Sequence, residues 1–598
     1  MNRSMSCLRS VGVLGLSALL WAAVPPESPV ADAAMRADLG KVRLLLKGGA
    51  DVNVAQGDGM TALHWSAENR SAEMAAMLIY AGANVEAVTR IGGYTPLHLA
   101  SRAGSTTIVQ GLLEAGADPA VRSSVGGATP LHLAAAASSM GSVLSLLDHG
   151  AEIDAREHAW GQTPLIFASS LGRTEVVELL LDRGADVSIT TSPIYLPALQ
   201  DADRAARQRR DKVLDGFRAV QDVSGAESWR PSPTEVQAAL ESSRIEPNES
   251  VDPEEEDEDT YNEQVGVPGG NSYADLVGTM GGTTALIHAV REGHVETAKV
   301  LLDGGADVNQ PSSGDRTTAL LSATINGHFD LALELLKLGA DPGLASTGGT
   351  TPLLAVVNTK WAPKARYPQQ EAHKQQKATH LEVMKALLES GADPNARLTK
   401  HLWFMEYTFS HLGIDASGAT PFWRATHALD VPAMELLVEY GADPSIPTTK
   451  GQDRRSSRGG GGEDPSGLPP VPFGGPAVYP IHVAAGHGYG TGYAGYSHRH
   501  APDAWLATVK YLVEEHGADV NVRDHNGYSP LHNAASRGDT DMIRYLVDKG
   551  ADVMVVSRRG QTTIDMANGP QQRIQPFPEA IVLLGSLGAK NNHNCVSC

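Results

Sequence analysis

Aromatic side chains are scarce in this sequence, where Phe, Trp and Tyr make up only 5% of 598 residues. Glycine is abundant, at 62 residues, while the apolar fraction of 42% is ordinary for folded protein. The chain also exceeds the roughly 250–300 residues at which a single core stops growing. Few aromatics and many small residues therefore favour small repeated units over one large globule.

Positive charge is also in short supply. Lys and Arg number 48 against 69 Asp and Glu, which gives a formal net charge of −21. Nucleic-acid binding needs clustered cations, so this balance argues against a nucleic-acid partner, and it disfavours adhesion to anionic lipid. Nine of the acids lie between Glu246 and Asp259. Such a block is typical of a solvated, disordered stretch.

No apolar run reaches the roughly 20 residues that a membrane-spanning helix needs, so no membrane span is predicted. The longest run covers residues 11–24, after two N-terminal arginines, and small residues and prolines follow it. A basic flank, a short apolar core and a small-residue exit form the layout of a secretory signal peptide. We predict a signal peptide over residues 1–28, cut between Ala23 and Ala33, and a periplasmic or extracellular location.

Cysteine is rarer still, with three in the chain. Cys7 would leave with the signal, and the other two lie in the C-terminal tail, residues 593–598. A Cys-x-x-Cys pair in an oxidising compartment tends to close as a disulfide. Cys595 and Cys598 also match the start of the C-x-x-C-H haem motif, but no His follows them. Three interpretations stay open: a disulfide or thiol-exchange site, a metal-binding tail with His593, and an incomplete haem site.

One unit recurs along the chain, at first every 34 residues. In the copy "GYTPLHLASRAG", Thr95 caps a first helix, and Pro96 gives up an N–H that had no partner. The second helix carries apolar pairs four apart, the 3.6-residue period of one buried stripe. Gly116 then supplies the left-handed stop. The unit opens at Gly59, Gly93, Gly127, Gly161, Gly282, Arg316, Gly349, Gly418, near Ala477, and at Gly527 and Gly560.

These residues resemble the ankyrin repeat, whose usual length is about 33 and whose signature is "TPLH". The resemblance implies an all-α fold, an ankyrin-repeat solenoid of stacked helix pairs with projecting β-hairpin-like loops and large insertions. With the signal layout, the chain is similar to exported bacterial ankyrin-repeat proteins. In this family the signature His is structural, its ring bonding the Thr hydroxyl and the backbone across units. It stands here at His64, His98, His132, His482 and His532.

Five units depart from the signature, and their interfaces are expected to be held by packing instead. The His position is taken there by Ile166, Ile287, Leu321, Leu354 and Trp423.

Interruptions divide the repeats into blocks. The predicted organisation is a half repeat plus four repeats over 31–189, an insertion with helices and the acidic stretch over 190–281, repeats over 282–445, a flexible Gly/Pro-rich linker over 446–476, and repeats with a C-terminal cap over 477–592. Within the second block we predict an insertion near 360–380 and an aromatic helix near 400–412.

Two segments between repeats carry residues that suggest chemistry. Glycines 490, 492 and 495 formally satisfy G-x-G-x-x-G, but they lie between two repeat helices, so a nucleotide site is discarded. Nearby histidines at 487, 498 and 500 could gather a metal, although a mobile or binding loop is favoured. The aromatic cluster is read as an extra packed helix or as an exposed anchor patch. It consists of Trp403, Phe404, Tyr407 and Phe409.

No catalytic motif stands out, because the sequence has no G-x-S-x-G elbow, H-E-x-x-H or P-loop. We predict an exported, non-enzymatic scaffold without cofactors, which mediates protein–protein interaction through loop tips and the concave face. Two alternatives stay open: a redox, haem- or metal-carrying protein that uses the terminal cysteines, and a secreted effector that binds host proteins. The resemblance places partner contacts at Arg90, Tyr94, Arg102, Arg122, Trp160, Asp524, Tyr528 and Arg558.

Overall fold

The fold is built from helix pairs, as a computed structural model of the chain shows. Its described residues are 28–220, 230–244, 273–362, 371–400, 415–451, 464–488, 500–569 and 575–595. They divide into two compact units, Met1–Ala159 and Trp160–Cys598. The expected all-α solenoid of stacked helix pairs is confirmed. No helix among the described residues is long and apolar enough to cross a bilayer.

Four helix pairs make up the described part of the first unit. The first helix of each pair packs against the first helix of the next, and the second helices pack in a parallel row. The pairs are α1 (Pro29–Met35) with α2 (Leu39–Lys47), α3 (Ala62–Glu68) with α4 (Ala72–Tyr80), α5 (Pro96–Ala103) with α6 (Thr106–Glu114), and α7 (Pro130–Ala136) with α8 (Met140–Asp148).

The second unit continues the pattern and adds the insertion. Its elements up to the insertion's end are α9 (Pro164–Ser170), α10 (Thr174–Asp182), β1 (Pro193–Tyr195), α11 (Leu196–Val220), α12 (Pro233–Arg244), α13 (Tyr273–Val277) and β2 (Thr279–Gly281). The later pairs are α14 (Ala285–Glu292) with α15 (Val295–Asp303), α16 (Ala319–Asn326) with α17 (Phe329–Lys337), α18 (Pro352–Lys360) with α19 (His380–Glu389), α20 (Pro421–His427) with α21 (Val431–Glu439), α22 (Pro480–Ala485) with α23 (Trp505–Lys510), α24 (Pro530–Arg537) with α25 (Thr540–Asp548), and α26 (Thr563–Ala567) with α27 (Pro578–Ser586).

The N-terminal repeat is complete, so the predicted half repeat is wrong. Helix α1 begins at Pro29 and buries Val30, Ala31, Ala33 and Ala34 against the neighbouring helices. It lacks the Thr-Pro-Leu-His opening, which is why the repeat pattern did not reveal it.

The insertion leaves the stack and returns to it at one place. Strands β1 and β2 pair antiparallel, and Thr190 bridges to Thr284 beside them. Helix α9 packs directly on α14, so the repeats on either side of the insertion are neighbours in space. Helices α11 and α12 pack on each other. The acidic stretch lies outside the described residues.

A buried histidine joins several repeats to the next. The Nδ1 atom of His64 accepts the backbone N–H of Thr61 at 3.1 Å, and its Nε2 lies 3.0 Å from the carbonyl oxygen of Tyr94 in the following repeat. Because Nδ1 accepts, Nε2 carries the proton and donates to that carbonyl. The predicted structural role is confirmed. The same forward bond joins His98 to Ala128, His482 to Tyr528 and His532 to Gln561.

Where the signature departs, most interfaces are apolar, as expected. Ile166, Ile287, Leu321 and Leu354 are all buried. Trp423 is the exception, since its indole N–H donates to the carbonyl oxygen of Val478 at 3.0 Å. A tryptophan therefore restores the forward hydrogen bond that packing alone was expected to replace.

A second ladder of asparagine side chains ties the loops that follow the second helices. Asn53 donates to the carbonyl oxygen of Gly82 at 3.2 Å and accepts the N–H of Asn84 at 2.6 Å. Each amide thus satisfies one donor and one acceptor of the next repeat. The arrangement recurs at Asn309, Asn395 and Asn521.

The buried signature histidines predict a free energy of unfolding that decreases as the pH falls. Burial lowers the pKa of His98 from 6.5 to about 4. Between these values the unfolded chain binds the proton and the folded chain does not, so stability is lost as the pH falls. At pH 5 this loss is about 2 kcal/mol relative to pH 7.

We expect the variant His98→Leu to unfold more easily at pH 7, by roughly 2–4 kcal/mol, because two buried backbone groups lose their partner. It should also lose less stability than the wild type between pH 7 and pH 5. Urea unfolding followed by circular dichroism measures both quantities. An equal pH dependence in the two proteins would contradict this role of the ring.

Candidate partner-binding surface

The loop tips of the first unit expose apolar side chains at one repeated position. Ile91 is 82% exposed and Val125 is 65% exposed, and they stand 34 residues apart in consecutive repeats. Exposed apolar groups of this size gain most when a partner covers them. Neither residue was among the predicted contacts, although their shared place in the 34-residue period was a signal that could have identified them.

Two predicted contact residues hold these tips in place. The guanidinium of Arg90 donates to the carbonyl oxygen of Gly57 at 2.9 Å, in the preceding loop. That of Arg122 donates to the carbonyl oxygen of Arg156 at 2.7 Å, in the following loop. Both side chains are exposed. They brace the tips against each other while presenting positive charge beside the apolar side chains.

Tyr94, just before the first helix α5, and Arg102, in its last turn, form a second cluster. Tyr94 packs edge-on against His98, and the guanidinium of Arg102 lies 5.9 Å from the centre of the Tyr94 ring. Arg102 also forms an ion pair with Glu68 at 2.8 Å. This pair is well exposed, so it contributes little stability and leaves the cation accessible.

Trp160 and Tyr528 belong to the second unit. Trp160 is 47% exposed, and its carbonyl oxygen accepts the N–H of Ser192 at 2.7 Å. Tyr528 is half-buried and donates its hydroxyl hydrogen to Gln561 at 2.5 Å. Each keeps part of its ring at the surface, as a contact role requires.

Asp524 differs from the expectation. It is only 3% exposed, and its Oδ1 atom accepts the N–H groups of Asn526 and Tyr528 at 2.9 and 2.8 Å. Burial raises its pKa to about 7. The expectation that Asp524 stands exposed at a loop tip is wrong, because the carboxyl group turns inward to shape the loop.

Arg558 is engaged by a segment that the sequence analysis treated as a flexible linker. Its guanidinium pairs with Asp464 at 2.5 Å and donates to the carbonyl oxygens of Leu468 and Pro469. The linker expectation therefore fails for residues 464–476, which lie against the repeats. The Gly- and Pro-rich composition predicted a flexible linker and carried no information on its contacts with the repeats.

The structure describes two of the three candidate metal histidines, His487 and His500. The side chain of His487 is 11% exposed, with Nδ1 3.4 Å from Oδ2 of Asp524, and its partial burial lowers its pKa to about 3. His500 packs edge-on against Trp505. His498 lies outside the described residues, as do the three glycines and the aromatic cluster at 403–409. Across the part of the chain that the structure describes, no group of three or more His, Cys, Asp or Glu could hold a metal.

The terminal cysteines are described in part. Cys595 is disulfide-bonded, while Cys598 lies outside the described residues. The Cys595–Cys598 pairing and the metal set with His593 therefore stay predictions. His593 donates its backbone N–H to the side chain of Asn591 at 2.8 Å.

A buried polar cluster between two repeats was not predicted. Arg424 is 4% exposed and donates to the side chain of Asn358 and to the carbonyl oxygen of Trp361, at 2.9 and 2.8 Å. Asp430 accepts from the indole of Trp361 at 2.6 Å and from His380 at 2.8 Å. Burial lowers the pKa of Arg424 to about 10, so it stays charged at neutral pH. These groups face one another and join the α18–α19 pair to α20–α21.

Family comparisons agree with this architecture. A three-copy ankyrin-repeat model matches residues 30–123, 121–191 and 265–346, and a many-copy ankyrin-repeat model matches residues 497–547. The chain carries ankyrin repeats. The projecting tips described above are therefore the loops of ankyrin repeats.

Individual relatives share short stretches with this ankyrin-repeat chain. Alpha-latrocrustotoxin-Lt1a of Latrodectus tredecimguttatus is 46% identical over 59 residues, 10% of this chain and 4% of the toxin. Protein phosphatase 1 regulatory subunit 12A of Mus musculus is 35% identical over 88 residues, 15% of this chain and 7% of the subunit. Protein phosphatase 1 regulatory subunit 27 of Mus musculus is 43% identical over 61 residues, 10% and 39% of the two chains. The chain thus spans a small share of the first relatives' own length.

Proposed function

We propose that the protein is a non-enzymatic scaffold that binds another protein through the tips of its ankyrin loops. The observation that carries this proposal is the repeated exposure of Ile91 and Val125, each close to an arginine that braces the tip. Apolar centres flanked by arginine have the composition of an interface core. Two of the relatives are by name regulatory subunits of protein phosphatase 1, which supports a binding role rather than catalysis.

The proposal includes export, which rests on the N-terminal sequence. The position of helix α1 narrows the range in which the signal peptide is expected to be cut. Helix α1 begins at Pro29, and Ser28 accepts the N–H of Asp32 through its carbonyl oxygen at 2.8 Å. A cut inside α1 would remove buried residues of the first repeat. We therefore place the cut between Ala23 and Ser28, which leaves this repeat whole. The named relatives come from animals, so a bacterial origin stays a prediction.

The intact mass of the protein recovered after export tests this placement, measured without reduction. We expect a chain that begins between residues 24 and 28 and lacks the two hydrogens of one disulfide. A start inside α1, or a full-length chain that stays inside the cell, would contradict the export proposal. An added haem mass would favour the redox alternative over a plain scaffold.

Site-specific photo-crosslinking tests the binding surface. We expect a photoreactive residue at position 91 or 125 to give discrete adducts with another protein in the source cells. Tyr80 and Leu44 are matched controls, since they are 95% and 73% exposed but lie on second helices. The control positions should give few adducts.

The double variant Ile91→Ser with Val125→Ser sharpens this test. Both sites are exposed, so stability should change by less than about 0.5 kcal/mol, while binding should weaken about tenfold or more. Adduct yield from a crosslinker at Arg102, a predicted contact residue away from the two tips, reads out the loss. Equal yields with and without the double variant would contradict the assignment of the tips.

A further inference from the structure

Residues Asp464–Pro472, called the strap below, lie across two ankyrin loop tips of the second unit. Leu468 lies beside Gly527, where an added Cβ would stand 3.4 Å from its Cδ1 atom, an ordinary contact distance. Pro465 approaches Gly560 equally closely, with Cγ at 3.4 Å. Both glycines adopt positive φ angles, 79° and 76°. These positive φ angles favour glycine at both tips, and the strap passes over them.

One arginine, Arg558, binds the strap. Arg558 donates from Nε to the carbonyl oxygen of His525 at 2.9 Å, which fixes the guanidinium on its own side of the contact. The remaining nitrogens point to the strap, where they meet the Asp464 carboxylate at 2.5 Å and the carbonyl oxygens of Leu468 and Pro469 at 3.2 and 2.5 Å. A planar fork with several donors suits one carboxylate and neighbouring carbonyls.

The strap is held at its far end as well. The Nζ atom of Lys450 donates to the carbonyl oxygen of Val471 at 3.0 Å. Just beyond the strap, the backbone of Lys450 exchanges hydrogen bonds with Gly474 and Gly475 at 2.9 and 2.8 Å. Two cations therefore contact the strap, Arg558 toward its beginning and middle and Lys450 near its end.

The strap is attached without being part of the core. None of its residues is buried, and the adjoining Phe473 is 69% exposed. Its attachment rests on one exposed ion pair and a few hydrogen bonds to carbonyl oxygens, and exposed contacts of this kind are individually weak. A segment held in this way can be exchanged for another of the same chemistry.

We propose that the tips around Gly527 and Gly560 form a peptide-binding site, which the strap occupies as an intramolecular ligand. The partner it fits is an extended protein segment with an acidic side chain four residues before a Leu-Pro-Pro sequence. Prolines keep such a segment extended at low entropic cost. The tethered strap competes with any free segment, so binding in trans requires its displacement. This site rests on the proposed binding function but lies in a different unit from Ile91 and Val125.

Fluorescence anisotropy of a labelled peptide with the sequence of residues 464–474, DPSGLPPVPFG, tests the site. The full chain is compared with one in which residues 464–472 are replaced by nine Gly and Ser residues. We expect the strap-replaced chain to bind the peptide at least about tenfold more tightly, because the tethered competitor is gone. Arg558→Ala in that chain should weaken binding about tenfold. Arg559→Ala, a neighbouring exposed arginine, should leave it unchanged.

The peptide itself supplies a control that cannot unfold the protein. A peptide with Asp464→Asn should bind the strap-replaced chain about tenfold more weakly than the parent peptide. The proposal is overturned if the strap-replaced chain fails to bind the peptide, if both chains bind it equally, or if neither Arg558→Ala nor the Asn peptide weakens binding. Loss of peptide binding alongside specific crosslinks at Ile91 would sink this site and leave the scaffold function standing.

Discussion

The forward hydrogen bond of a buried imidazole is the contact on which the repeat stack depends. Its Nδ1 atom accepts an N–H at the start of its own first helix, and its Nε2 donates to a carbonyl oxygen of the next repeat. One ring thereby satisfies buried groups in two repeats, groups that would otherwise cost free energy. A single repeat cannot bury its own apolar stripe, so apolar packing between repeats drives stacking. The hydrogen bond of the ring adds a directional contact to that packing.

Because the ring bond lies beneath the loops, the loops can vary without disturbing the stack. The insertion between Thr190 and Thr284 enters and leaves through one short ladder, and α9 still meets α14. Where the ring is missing, Trp423 supplies a replacement donor, and elsewhere the Arg424 cluster joins repeats through buried polar groups. The tips are left for binding, exposed at Ile91 and covered by the strap at Gly527.

The sequence predicted what depends on local pattern and missed what depends on distant contacts. Thr, Pro and His at fixed spacing identified the repeats and the role of the ring, because one short segment contains all three. Helix α1 was not predicted because its sequence lacks the Thr-Pro-Leu-His opening. The strap was read as a linker because Gly and Pro report backbone preference, whereas its docking depends on Arg558, about ninety residues away. The inward turn of Asp524 likewise follows from burial by neighbouring repeats.

The most direct test of this account is hydrogen–deuterium exchange of the full chain, read at single amides by mass spectrometry with gentle fragmentation. The N–H groups of Thr61 and Thr95 are bound by the rings, so the account predicts that they exchange as slowly as amides inside the helices. The amides of Ile91 and Val125 should exchange orders of magnitude faster. Similar rates at Thr95 and Ile91 would contradict the claim that the rings hold the stack and leave the tips open.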